Sequence, residues 1–164
     1  MNKLLTLFFV LGATSAYANE VPIEGSVSSK CSVYTDTPGV YGNPTSSTLS
    51  TDPTDGGVDP IVRYDVVLAD AYKAKISWPM DFSSSPVLND ALAWSGSVTV
   101  SQVSDAGMSA YETGKVMYDN VTEYDLTIAG STWFKVESEV AYGVDKSLPG
   151  GTYKASVIAE CIAK

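Results

Sequence analysis

The chain has 164 residues, 19 acidic and 10 basic side chains, a net charge of −9 and no histidine. An acidic surface of this kind repels nucleic acid and anionic lipid headgroups. The missing imidazole excludes Ser-His-Asp and Cys-His catalysis, histidine-based zinc sites and a histidine pH switch, and leaves carboxylate-only catalysis possible.

The N-terminus reads as an export signal. Lys3 supplies one positive charge, an apolar run follows from Leu4 to Gly12, and Ala16-Tyr17-Ala18 has the small-x-small form of a cleavage site. That order of features defines a secretory signal, and the apolar run is too short for a bilayer span. Residues 1–18 are therefore expected to be removed, leaving one domain over residues 19–164 with no later membrane span. The expected location runs from the periplasm to the cell surface or beyond.

Apolar residues then recur with period two, the strand period. Val21, Ile23, Val27, Cys31 and Val33 share one face of an N-terminal stretch. Residues 35–60 are rich in Pro, Gly, Ser, Thr and Asp and read as a long surface loop, with room for a brief strand at 47–50. Within it Asp52, Asp55 and Asp59 are an oxygen-rich cluster of the type calcium uses, although Asp and Gly are also ordinary turn residues and the spacing is not that of an EF-hand.

Further strands are expected around Val62, Tyr64, Val66 and Leu68, and around Tyr72, Ala74, Ile76 and Trp78. One short helical turn could fit at 85–94. Strands follow at 96–103, 115–118 and 121–128, and along Phe134, Val136, Val140 and Tyr142. Leu148-Pro149-Gly150-Gly151 is the firmest stop, because Pro cannot join a ladder and Gly accepts positive φ. A final strand then places Tyr153, Ala155, Val157, Ala159 and Cys161 on one face. About eight short strands with these separators predict an all-β, antiparallel immunoglobulin-like sandwich.

Cys31 and Cys161 are the only cysteines. In an exported chain they are expected to pair, tying the start of the domain to its last strand. A redox pair or an intermolecular bridge is the alternative, with no Cys-x-x-Cys spacing to favour it. Trp94 and Trp133 could stack on a sugar, although large aromatics more often pack a core, as Trp78 is expected to. Glu137 and Glu139, two apart on one strand, read as solvated polar-face residues. No motif points to an enzyme or a cofactor.

Both ends of the chain resemble pilins of the chaperone–usher pathway. Val21-Pro22-Ile23-Glu24-Gly25-Ser26-Val27 is similar to the alternating donor strand of that family, with one glycine on the apolar face. Gly151, Tyr153 and Val157 follow the Gly-x-Tyr-x-x-x-Val pattern of its final strand, and Gly151 is fourteenth from the C-terminus. The order of elements is closest to the alpha-type fimbrial branch. This sequence departs from the family in having Ala163 where a penultimate aromatic is common, and in a cysteine pair spanning the domain.

The resemblance implies a structural or adhesive subunit assembling by β-strand addition, with Val21, Ile23, Gly25 and Val27 donated and Gly151, Tyr153, Ala155 and Val157 accepting. The implied partners are further copies or other pilus subunits, and a periplasmic chaperone and usher. A secreted carbohydrate- or calcium-binding sandwich module is the alternative.

Overall fold

The computed structural model describes residues 30–164, which build ten strands in two antiparallel sheets. The signal segment and the expected donor residues Val21, Ile23, Gly25 and Val27 lie outside the described residues.

The first sheet is organised by its longest strand, β9 (Gly130–Tyr142). One edge of β9 carries β6 (Leu92–Val103) along its whole length, from Leu92 opposite Tyr142 to Val103 opposite Thr132. The other edge is shared. Its first half pairs with β4 (Ile61–Val66), which pairs in turn with β1 (Cys31–Thr37). Its second half pairs with β3 (Thr48–Ser50), which continues to β2 (Gly42–Thr45). The second sheet runs β10 (Ile158–Ala163), β5 (Tyr72–Ser77), β8 (Val121–Leu126) and β7 (Val116–Tyr118).

Alternation puts the apolar residues between the sheets. Val62, Tyr64, Phe134 and Val136 of the first sheet meet Ala74, Ile76, Tyr124 and Leu126 of the second in one buried cluster. Phe134 sits at its centre, edge-on to Tyr64 at 5.5 Å and tilted against Tyr124 at 4.5 Å. The Tyr64 hydroxyl lies 3.1 Å from the Glu160 carbonyl and 3.3 Å from that of Lys75, and the Tyr124 hydroxyl donates to the Val98 carbonyl at 2.8 Å. Each polar tip is thus satisfied on the opposite sheet, as burial demands. Cys31 of β1 and Cys161 of β10 form a disulfide between the sheets, with Cα atoms 6.3 Å apart.

Burial raises both phenols above their ordinary value of 10.0. The unfolded chain releases these protons near pH 10, whereas the folded chain retains them. Above pH 10 the fold therefore binds more protons than the unfolded chain, and stability falls as pH rises, by up to about 1.4 kcal/mol per pH unit for each phenol. Urea midpoints at pH 8, 10 and 11 should show this loss, and Tyr64→Phe with Tyr124→Phe should flatten it.

The sandwich matches the expected fold class, and the faces of β4, β5, β9 and β10 are those anticipated. Three expectations need correction. Residues 35–60 hold the anticipated brief strand, β3, but are otherwise no long surface loop: they also hold β2 and a 3-10 turn at Pro53–Asp55, and they bury Leu49, Ser50, Thr51 and Asp59. The glycines here serve close approach rather than looseness. A Cβ on Gly42 would strike the backbone of residues 55–57, and one on Gly57 the backbone of Ser50 and Thr51. The helical turn is absent from 85–94, where β6 already begins at Leu92. It forms instead as a 3-10 turn at Ala106–Ala110 running into a short helix at Tyr111–Gly114. Asp105 caps it by accepting from the Gly107 amide at 2.8 Å, and Met108 and Tyr111 drop into the core. Leu68, expected inside, is exposed because β4 ends at Val66 and the chain turns at Asp70, whose φ is 60°.

Candidate functional site

A groove of about 700 Å³ opens between the two sheets, on the side where β1 ends. Thr35, residues 38–41, Leu49, Thr51, Pro60, Val62 and Ser138 wall it on the first sheet. The opposite wall is the chain leading into β10: Gly151 and residues 153–157. All four residues expected on an accepting strand, Gly151, Tyr153, Ala155 and Val157, therefore line one groove.

Why the wall stands open follows from its hydrogen bonds. Lys154 forms an isolated bridge with Ser84, exchanging bonds at 2.8 Å in one direction and 3.3 Å in the other. Residues 155–157 belong to no ladder, and only at Ile158 does pairing with β5 begin. Burial nevertheless alternates from Tyr153 through Cys161, so the segment is extended and aims alternate side chains inward. Between the bridge at Lys154 and the start of β10, residues 155–157 are extended in conformation and pair with no strand among the described residues. The Pro-Gly-Gly stop sets this course, since Gly151 has φ 152° and a Cβ there would strike Pro86.

Two of the lining residues, Tyr41 and Tyr153, belong to an aromatic cluster around Phe82. Phe82 is 6.4 Å from Tyr41, 4.8 Å from Trp94 and 5.1 Å from Tyr153. The Tyr41 hydroxyl bonds to Ser138 at 3.0 Å, and burial raises its pKa. No signal in the sequence marked Phe82 or Tyr41, which come together only through the fold.

The tryptophans do not form a common platform. Trp94 is level with Val140 on the inner face of the first sheet, whereas Trp133 alternates with buried Phe134 and points outward. Trp133 donates to Asp36 at 3.1 Å, and the Arg63 guanidinium lies 4.9 Å from the Tyr34 ring and 6.0 Å from that of Trp133. Trp78 packs partly buried against the core, as expected.

The three aspartates do not converge either. Asp52 caps the 3-10 turn, accepting from the amide and hydroxyl of Thr54 at 2.7 Å, and these bonds lower its pKa. Asp59 is buried, accepts from Thr51 at 2.8 Å and lies 3.7 Å from the Lys135 ammonium. Asp55 ends the turn. Among the described residues no cluster of three carboxylate or thiolate ligands could hold a metal ion.

On the outer face a shallower cleft of about 270 Å³ brings together Asp52, Ser97, Glu137 and Glu139. Lys135 at 2.6 Å and then Ser97 at 2.9 Å hold Glu137 below the usual carboxylate range. Asp52 and Glu137 are both shifted down, opposite to the shift a proton-donating catalytic acid needs.

No family model, curated protein or solved structure matches this chain. No helix among the described residues is long and apolar enough to cross a membrane.

Proposed function

We propose that this protein is an exported structural subunit that assembles by β-strand addition, residues 19–28 of one copy filling the groove of the next. The open extended wall at 151–157 carries this reading. A polar backbone edge beside an apolar groove is left unsatisfied in a lone molecule, and an added strand supplies both ladder bonds and alternate side chains. Seven residues of extended chain span roughly 23 Å. The wall from Gly151 to Val157 and the segment from Val21 to Val27 are therefore of one length, and Val21, Ile23 and Val27 provide the apolar knobs.

Direction argues for a partner molecule over self-filling. Lys30 continues β1 outward, accepting from the Val67 amide at 2.8 Å, and of β1 only Thr35 lines the groove. The chain before Lys30 thus joins the domain at the end of β1 away from the groove. A head-to-tail contact of this kind builds fibres when its rotation does not close into a ring. Export, a chaperone that guards the groove and an usher belong to the same proposal. The binding-module alternative has less behind it, since Trp94 and Trp133 lie on opposite faces, Asp52 and Asp55 belong to a 3-10 turn, and Asp59 is buried against Thr51 and Lys135.

The test is a peptide of residues 19–29 titrated against the domain beginning at Lys30. Saturable binding is expected, lost when Ile23 and Val27 of the peptide are replaced by Asp and weakened by Val157→Arg in the domain. Equal binding of both peptides, or none, would overturn the reading.

A further inference from the structure

We propose that the Cys31–Cys161 bridge is the tensile connector of the assembled protein, passing force directly from the N-terminal segment to the wall of the groove and sparing the domain between them. This rests on the strand-addition reading for the points at which force enters. In such an assembly each subunit is pulled at two places: its own N-terminal segment, seated in one neighbour, and its 151–157 wall, which grips another. The first attaches to the domain through Lys30 and Cys31, the second through the opening residues of β10 and Cys161.

Without the bridge the covalent route between these points runs through both sheets, because the two cysteines are 130 residues apart. With it the route from Val157 covers only the three pairs of Ile158, Ala159 and Glu160 with β5 before the sulfur atoms are reached. On β1 the bridge occupies the first strand residue, so the pairs from Ser32 to Thr37 lie behind it and carry no load.

The placement discriminates between a connector and a simple staple. Val33 also faces the core from β1, as Ala159 does from β10. A bridge between those positions would restrain the unfolded chain almost equally, since loop-closure entropy changes only with the logarithm of loop length. It would, however, leave Cys31 and Ser32 of the edge strand in the path of the load. Only the position at the very start of β1 protects the whole ladder.

Force spectroscopy on the mature chain, held at its N-terminus and at the exposed Ser156, tests this. The oxidised chain should release no more than a few tens of Å from the domain before the handles fail. After reduction by a phosphine it should release roughly 400 Å, at about 3.5 Å per freed residue. A long release from the oxidised chain, or none from the reduced one, would overturn the connector. In a second arm assembled fibres are stretched with and without the phosphine. Oxidised fibres should break without lengthening, and reduced fibres should extend severalfold. Fibres indifferent to reduction would overturn the connector alone, whereas a failure to form fibres under any condition would overturn the strand-addition reading beneath it.

Discussion

Replacing both cysteines by alanine should destabilise the mature domain by about 5 kcal/mol. The closed loop separates residues 130 apart, and the chain-entropy relation for a loop of this length gives that figure. The bridge is the one disulfide, and it cross-links the two sheets at edge strands: β1 otherwise pairs with β4 alone, and β10 with β5 alone. Domains of this size are stable by about 5–15 kcal/mol, so the variant should be marginal or unfolded. With a urea slope of about 2 kcal/mol per molar, the midpoint should fall by about 2.5 M. Coincident midpoints for the oxidised protein and the variant would show that the bridge constrains little.

Phe134→Ala should cost about 4 kcal/mol, whereas Trp133→Ala, one residue away, should cost about 1 kcal/mol. Phe134 is fully buried and packed between Tyr64 and Tyr124, so truncation leaves a cavity bounded by both sheets. Trp133 is the larger side chain but lies on the outer face, where it forfeits one bond to Asp36 and a loose contact with Arg63. Thermal and urea unfolding of the two variants measure the contrast. A larger loss at Trp133 would mean that the face assignment of β9 is inverted.

The period-two pattern exposed most of the fold because a sandwich is an alternation in space as well as in sequence. Tyr72, Ala74 and Ile76, separated by Lys73 and Lys75, could be placed facing the core without knowing what they faced. What escaped was structure whose signal is not alternation. Gly42 and Gly57 look like flexible turn residues, yet each allows two backbones to touch. Asp105 caps a 3-10 turn that buries Met108 and leads into the helix carrying Tyr111, and neither residue stands in an alternating run. One wall of the groove was readable, since Gly151, Tyr153, Ala155 and Val157 alternate after a firm stop. The other was not: Tyr41 of the β1–β2 link, Leu49 of β3 and Ser138 of β9 meet only because β3 joins the second half of β9.

In strand addition, residues 19–28 of one molecule would complete the groove of another. Size-exclusion chromatography with light scattering, comparing the mature protein with a variant lacking residues 19–28, tests it most directly. The account predicts polymers from the former, and from the latter a folded monomer with unchanged circular dichroism. A truncated protein that still polymerises would contradict it.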